Sequence, residues 1–170
     1  MLRIRDASES DVPALLRLHL DVLAEERWFI TAANELQHDP FTLLEQLKDM
    51  RRRANCGWWV AVGPDGIVGF ATAIGGHLRR IRHVARFEVM VAKHARGQGV
   101  GRQLTEHAIA WAQANPAVSK LSLAVFDDNP RAIALYSALG FVEEGRRPGE
   151  YVEDDGRVRG DVLMAMRVQT

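Results

Sequence analysis

The feature that most constrains this chain is an abrupt change of period between residues 84 and 111. Residues 85–91 read Ala-Arg-Phe-Glu-Val-Met-Val, an alternating run rich in β-branched and aromatic side chains that predicts a strand. Residues 100–111 instead carry apolar side chains three and four positions apart, which predicts a helix. Glycines lie where the strand gives way to the helix, so Cβ atoms are missing at the turn. The junction reads Arg96-Gly97-Gln98-Gly99-Val100-Gly101.

This glycine-rich junction predicts an anion site. Main-chain N–H groups in the first turn of a helix have no intrahelical acceptor, and glycine lets a ligand approach them closely. The positive end of the helix dipole favours phosphate there, and Arg96 and Arg102 add charge at the edges. The spacing lacks the Gly-Lys-Ser/Thr ending of a Walker A loop and does not fit the G-x-G-x-x-G dinucleotide fingerprint. Tight packing at the turn is the alternative explanation of the glycines.

Length and composition narrow the class of protein. The 170 residues suit a single domain over 1–170 with a full core. The 22 basic and 22 acidic residues balance, so net charge gives no reason to expect nucleic acid as a partner. No apolar run reaches membrane-spanning length and no signal peptide is recognisable, so we expect a cytoplasmic protein that does not bind a membrane. The single cysteine excludes an internal disulfide, and no Cys/His cluster has metal-ligand spacing, so no metal is expected.

The rest of the chain alternates strand and helix signals. Asp39-Pro40, a capping residue followed by proline, marks the start of the second helix. The segment 25–38 before it contains Trp28 and Phe29 but no clear period, and it is either cover for the core or one wall of a substrate pocket. Strands are predicted at 2–5, 58–62, 67–74, 85–91, 121–126, 141–144 and 162–166, and helices at 12–23, 40–53, 100–111 and 131–139.

A second motif lies downstream of the glycine-rich junction. Asn129 and Tyr136 are seven residues apart, about two helical turns, so they share a helix face. Together the two motifs resemble those of the Gcn5-related N-acetyltransferase (GNAT) family. The junction is similar to its pyrophosphate loop, R/Q-x-x-G-x-G/A. Residues 129–141 match its N-x-x-A-x-x-x-Y-x-x-x-G-F pattern at Asn129, Ala132, Tyr136, Gly140 and Phe141. The resemblance extends over roughly residues 58–141.

The resemblance implies a fold and a co-substrate. The fold is α/β (α+β): a single mixed, mostly antiparallel twisted sheet of six to seven strands, splayed at a bulge between strands four and five and flanked by about four helices. In such proteins acetyl-CoA inserts between the splayed strands, where unpaired main-chain groups bind its pantetheine arm as if it were an extra strand. The residues that the resemblance assigns to coenzyme binding are Val89, Met90, Val91, Arg96, Gly97, Gln98, Gly99, Val100, Gly101, Arg102 and Asn129.

The same resemblance assigns roles in the chemistry. Tyr136 is placed to protonate the departing thiolate, since a phenol and a thiol have comparable pKa values. The main-chain N–H of Val89 would polarise the thioester carbonyl. An amine acceptor must lose a proton before it attacks, and Glu88 is the candidate base. Two alternatives to Glu88 as the base stay open: that it forms only a salt bridge with Arg86 or a neighbouring strand, and that bulk water takes the proton.

The expected function is direct transfer of an acetyl group from acetyl-CoA to the amine of a small molecule in a ternary complex. The acceptor would be an amino acid, a polyamine or a drug-like amine. Two alternatives are acetylation of a protein N-terminus or lysine, and a non-catalytic acyl-CoA sensor. The predicted role of Tyr136 as the general acid for a departing thiolate argues against the sensor, because a sensor releases no thiol. A homodimer is left open by the sequence.

Overall fold

A computed structural model describes residues 2–31, 34–35 and 39–169. Residues 32–33 and 36–38, which belong to the segment 25–38 that either covers the core or forms a pocket wall, lie outside the described residues. The strands are β1 (Arg3–Asp6), β2 (Cys56–Gly63), β3 (Gly66–Gly75), β4 (Val84–Val91), β5 (Lys120–Phe126), β6 (Val142–Val152) and β7 (Val158–Arg167). The helices are α1 (Val12–Leu23), α2 (Pro40–Arg52), α3 (Val100–Ala114) and α4 (Pro130–Ala138), with 3-10 turns at Glu9–Asp11 and Lys93–Ala95.

The strands form one seven-stranded sheet in the order β1-β2-β3-β4-β5-β7-β6. The β4–β5 pair is parallel, and every other neighbouring pair is antiparallel. Consecutive strands β2, β3 and β4 pair as an antiparallel meander. The mixed, mostly antiparallel sheet and the four helices of the described residues confirm the predicted fold class.

The sheet separates two layers of helices, and neighbouring tryptophans show which helices lie on which face. Trp59 packs edge-to-face against Trp111 of α3, with ring centroids 5.2 Å apart. The preceding Trp58 contacts Phe70, which in turn contacts His19 of α1. Successive strand residues point to opposite faces, so α1 and α3 cover opposite sides of the sheet. None of the helices in the described ranges is long and apolar enough to cross a membrane.

The start of α2 follows directly from its sequence. The Asp39 carboxylate accepts hydrogen bonds from the N–H groups of Phe41 and Thr42, at 2.8 and 3.0 Å. Pro40 occupies the first helical position, where no N–H is needed. These contacts fix where α2 begins and therefore where the segment between α1 and α2 ends.

The two central strands diverge. The parallel ladder joins only residues 84–86 of β4 to residues 120–122 of β5. Beyond it, β5 stays paired with β7 as far as Phe126, so β5 leaves β4 and a gap opens between them. The β3–β4 register runs from Gly69↔Val91 to Gly75↔Ala85 without a shift. The expected splay is therefore confirmed, but the bulge expected to cause it is absent from the β3–β4 ladder.

Candidate active site

A cleft of about 520 Å³ occupies the gap between the diverging strands. One side is formed by β4 and the loop that leads into α3, and another by β5 and the first turns of α4. Trp28 and Phe29, from the segment after α1, also line it. The cleft thus receives residues from five separate parts of the chain. Of the predicted site residues it contains Glu88, Val89, Val91, Arg96, Gly97, Gly99, Val100, Gly101, Arg102, Asn129 and Tyr136.

The loop before α3 presents a run of free main-chain donors. Gly97 and Gly99 have φ angles of +80° and +82°, a left-handed conformation that side-chain-bearing residues rarely adopt. Gln103 is the first residue of the helix whose N–H reaches an acceptor, the Gly99 carbonyl at 3.0 Å. In the described part of the chain, no acceptor pairs with the N–H groups of residues 97–102. This arrangement suits an anion with several oxygens, such as a diphosphate.

Arg96 has a different environment from the one expected. Its guanidinium binds both oxygens of Glu25, at 2.7 and 2.6 Å, and its Nε donates to the Val91 carbonyl at 3.0 Å. Arg96 in turn holds the pKa of Glu25 below its usual range, so the pair stays ionised at neutral pH. The Arg96 side chain therefore ties the loop to the segment after α1, and its charge is already neutralised.

Two other cations stand near the free N–H groups. Arg102 lies in the first turn of α3, where its nearest carboxylate is Glu106 at 3.4 Å. Arg131 of α4, which sequence reasoning missed, lines the same cleft, and its Nη2 lies 3.5 Å from the position that a Cβ on Gly97 would take. The sequence signal was weak, since an arginine after an Asn-Pro helix start is ordinarily solvated. The structure brings it to the loop because the first turn of α4 lies beside Gly97.

The direction of the main-chain N–H and C=O groups along β4 decides which residues offer hydrogen bonds to the cleft. The Ala92 N–H donates to the carbonyl of Val68 on β3 at 2.9 Å. Because the main-chain groups of successive strand residues point to opposite edges, those of Met90 point toward β3. Those of Val89 and Val91 point toward the gap, where the β4–β5 ladder has ended.

Two of the predicted coenzyme residues do not line the cleft. The Met90 side chain is buried on the α1 side of the sheet, and its main-chain groups point toward β3. Gln98 is exposed, and its side-chain amide donates to the His94 carbonyl at 2.9 Å, which closes the loop on itself. Strand alternation explains the first departure and a local turn contact the second. Of the β4 residues assigned to coenzyme binding, Val89 and Val91 therefore remain at the cleft.

The Asn129 side chain both caps α4 and lines the cleft. Its Oδ1 accepts a hydrogen bond from the Ala132 N–H at 3.2 Å and caps α4. The same residue lines the cleft. Its amide NH2 group donates to no acceptor in the described ranges. Capping and ligand binding are therefore compatible at this position.

Tyr136 lies with its ring in the core and its hydroxyl toward the cleft. The residue is 8% exposed, and its ring packs edge-to-face against Phe87 and Phe141, at centroid distances of 6.4 and 5.7 Å. The hydroxyl bonds to none of the described residues, yet it is not among the fully buried unpartnered atoms. Burial raises the pKa of Tyr136, and the nearby Glu88 charge raises it further. The phenol therefore keeps its proton at physiological pH and can donate it.

Glu88 both lines the cleft and forms the ion pair that was its alternative explanation. Its carboxylate is 3.7 Å from the Arg86 Nε, and both side chains are half-exposed or more. An ion pair of that length and exposure contributes little to stability, so it leaves the carboxylate available. Ala124 faces the cleft from β5 and offers no second carboxylate. In the described ranges, no three His, Cys, Asp or Glu residues cluster as metal ligands.

Comparison with known proteins supports one family. The sequence model of the acetyltransferase (GNAT) family matches residues 20–141. The chain is 26% identical over 152 residues to the spermidine N(1)-acetyltransferase of Vibrio cholerae, covering 88% of this chain and 84% of that protein. It is 38% identical over 82 residues to the [ribosomal protein bS18]-alanine N-acetyltransferase of Escherichia coli, covering 48% of this chain and 54% of that one. A Salmonella typhimurium protein described as a putative acetyltransferase and solved with acetyl-CoA superimposes with a TM-score of 0.88 at 19% identity, over 100% of this chain and 95% of that chain.

Proposed function

Because the chain belongs to the acetyltransferase (GNAT) family, we propose that it transfers an acetyl group from acetyl-CoA to the amine of a small molecule. The chain is an N-acetyltransferase and acetyl-CoA is its acyl donor. The choice of a small amine goes further, and two observations favour it. The spermidine N(1)-acetyltransferase matches 88% of this chain, which must include much of the region before β2. Trp28 and Phe29 of that region line the cleft and give it a partly apolar wall.

The residues of the cleft fit the donor. The free N–H groups of residues 97–102, flanked by Arg102 and Arg131, would hold the diphosphate. The Val89 carbonyl and the Val91 N–H would pair with the pantetheine amides along the open edge of β4, since the Val91 carbonyl already accepts a hydrogen bond from Arg96. The Asn129 amide NH2 group would donate to the same arm. When bound, acetyl-CoA supplies an acetyl group on a thiol leaving group, which the amine nitrogen displaces at the carbonyl carbon.

Three groups of this chain would act at the reacting centre. The Val89 N–H, directed into the gap, would donate to the carbonyl oxygen as negative charge develops there. The Tyr136 hydroxyl would give its proton to the sulfur as the carbon–sulfur bond breaks. Glu88, at the same cleft, would take a proton from the incoming ammonium, directly or through water. The protons balance: the ammonium loses one to Glu88 before it attacks, and the nitrogen loses a second after the carbon–nitrogen bond forms, which replaces the proton that Tyr136 gives to the sulfur, so one proton is released overall.

One observation carries this proposal: the free N–H groups at the start of α3 and the free hydroxyl of Tyr136 open into the same cleft. A structural role for the glycines would not require the donors to be unpaired. A sensor would use the donors but has no need of a protonated phenol. The arrangement therefore favours catalysis over binding alone.

The test is thiol release from acetyl-CoA in the presence of an amine panel. The panel holds spermidine, amino acids, drug-like amines, and peptides with a free N-terminal alanine or an internal lysine. We expect turnover with at least one small amine. Turnover only with the peptides would contradict the choice of acceptor, and acetyl-CoA binding without any turnover would favour the sensor.

A single substitution then tests Tyr136 as the general acid. Tyr136→Phe keeps the ring contacts and removes the hydroxyl, so kcat should fall about 10²- to 10⁴-fold with little change in acetyl-CoA affinity. Phe141→Leu serves as the control, because it perturbs the same aromatic cluster but removes no proton donor. Unchanged turnover in Tyr136→Phe would remove this residue from the mechanism.

A further inference from the structure

One buried cation lies outside the cleft and touches several parts of its wall. The Arg159 side chain on β7 is 4% exposed. Its guanidinium binds Asp128 at 2.6 Å, Glu153 at 2.7 Å and the Arg27 carbonyl at 3.0 Å. It also stacks on the Phe126 ring, with its carbon 3.5 Å from the ring centroid. Neither motif in the sequence includes this residue.

The partners of Arg159 connect directly to cleft residues. Arg27 is followed by Trp28 and Phe29, which line the cleft. Asp128 immediately precedes Asn129, which caps α4 and lines the cleft. The Phe126 ring itself is part of the lining. Arg159 therefore holds, from outside, the part of the wall formed by Trp28, Phe29 and Phe126, and it reaches the coenzyme residue Asn129 through its neighbour Asp128.

The segment after α1 is fixed at two points. Glu25 is bound to Arg96 of the anion loop, and the Arg27 carbonyl is bound to Arg159. Glu26 lies between the two anchors with a φ of +49°. A left-handed residue with a side chain is strained and persists where its surroundings fix it. The two anchors supply that constraint.

Stability alone does not explain a buried arginine here. Its Nε–H is buried and has no acceptor in the described ranges, which destabilises the folded state. An apolar side chain of similar length avoids that cost, and buried ion pairs are often no more stabilising than such a replacement. Asp128 is half-exposed and Glu153 about one-quarter exposed, so water can partly solvate both if the cation is removed. What an apolar residue cannot do is hold the Arg27 carbonyl.

We infer that Arg159 is a positioning residue for the amine acceptor, which holds Trp28, Phe29 and Phe126 as the acceptor wall of the cleft. This inference rests on the proposed function, because it assigns the remaining wall to the second substrate. The start of α3 and the open edge of β4 are assigned to the coenzyme, and none of the Arg159 contacts within the described ranges reaches them. Loss of Arg159 should therefore affect the amine and spare acetyl-CoA.

The test compares three variants by steady-state kinetics with the panel amine that gives the highest turnover. In Arg159→Met the KM for that amine should rise about tenfold or more, the effect of losing roughly 1.4 kcal/mol of positioning. The affinity for acetyl-CoA should change less than about threefold. Arg159→Lys, which keeps the charge and one or two contacts, should fall between. Arg157→Met is the matched control, since Arg157 is exposed and lies two residues away, and its side chain pairs with Asp155 at 3.9 Å and, within the described ranges, with none of the Arg159 partners.

A second measurement needs no amine. Hydrogen exchange of the peptide over residues 25–31 should accelerate in Arg159→Met and not in Arg157→Met, while the peptide over residues 97–105 stays unchanged. An unaltered amine KM, or unaltered exchange at 25–31, would overturn the positioning role. So would a parallel loss of acetyl-CoA affinity. A wild-type chain that turns over no amine would overturn the proposed function and this inference with it. Normal turnover in the wild type, with an unchanged amine KM and unchanged exchange in Arg159→Met, would overturn this inference alone.

Discussion

Replacement of Gly101 by alanine separates coenzyme binding from folding. Gly101 lies in the first turn of α3 with an ordinary helical φ, unlike Gly97 and Gly99. A Cβ at this position would meet Val91 Cγ2 at 3.7 Å, an ordinary van der Waals distance. Alanine is favoured over glycine in helices by up to about 1 kcal/mol. Gly101→Ala should therefore raise Tm by roughly 1–4 °C.

The same methyl group should weaken coenzyme binding. Both Gly101 and Val91 line the cleft, so the new atom stands where a diphosphate would approach the N–H groups of residues 101 and 102. A hydrogen bond to a charged group contributes about 1.5–3 kcal/mol. Loss of one such bond corresponds to roughly 10- to 100-fold in affinity. We expect a more stable protein that binds coenzyme A more weakly, a combination that a packing role for this glycine does not produce.

Calorimetric titration with coenzyme A and thermal melts of the same samples would test this. Gly99→Ala is the contrasting variant, because its φ of +82° makes any side chain strained by about 1–2 kcal/mol, so it should lower Tm. Gly145→Ala is the neutral control, since a Cβ there meets nothing within 4 Å. Wild-type affinity in Gly101→Ala would refute the assignment of the α3 donors to the diphosphate.

Three further outcomes follow from single groups. Asn129→Ser keeps a capping oxygen for α4 but removes the NH2 donor, so Tm should hold while coenzyme affinity falls about tenfold; equal affinity would leave Asn129 as a cap only. Because burial raises the pKa of Tyr136, kcat should show no loss from phenol deprotonation below about pH 10, and an alkaline limb near pH 8 that disappears in Tyr136→Phe would contradict this. The hydrogen bond from Arg5 lowers the pKa of Asp11 to about 2 from 3.8, so its carboxylate stabilises the fold above about pH 4 and loses that effect as pH falls toward 2. Asp11→Asn should cost about 2 kcal/mol at pH 7 in urea unfolding and less than about 0.5 kcal/mol at pH 2, where the folded carboxyl is half protonated.

The sequence was informative wherever the determining contacts are local. The glycine-rich junction predicted free N–H groups because helix starts leave donors unpaired within a few residues. Asp39-Pro40 and Asn129-Pro130 predicted helix starts for the same reason. Strand alternation also held, and it already placed Met90 opposite Val89 and Val91. Met90 was included among the coenzyme residues only because the resemblance assigned a whole strand segment.

The sequence was uninformative where a contact joins distant segments. The bulge was expected on β4, but the gap arises because β5 follows β7, and strand partners are not readable from β4 itself. Arg159 and Arg27 are 132 residues apart, and Arg96 and Glu25 are 71 apart. No periodicity or spacing rule links residues at such separations. Buried ion pairs of this kind are specified by the assembled fold and not by a local pattern.

The neutralisation of Arg96 changes how the site must attract its coenzyme. Since Glu25 binds the guanidinium through both oxygens, Arg96 adds no net charge to the loop. The attraction then comes from the N–H groups and the helix dipole, with Arg102 and Arg131 as the cations at the edge. What Arg96 does provide is a rigid link from that loop to the segment bearing Trp28 and Phe29, whose other end is held by Arg159. The donor loop and the proposed acceptor wall are thus two ends of one braced segment, which accounts for a bidentate ion pair and a buried arginine flanking a strained residue at the mouth of the cleft.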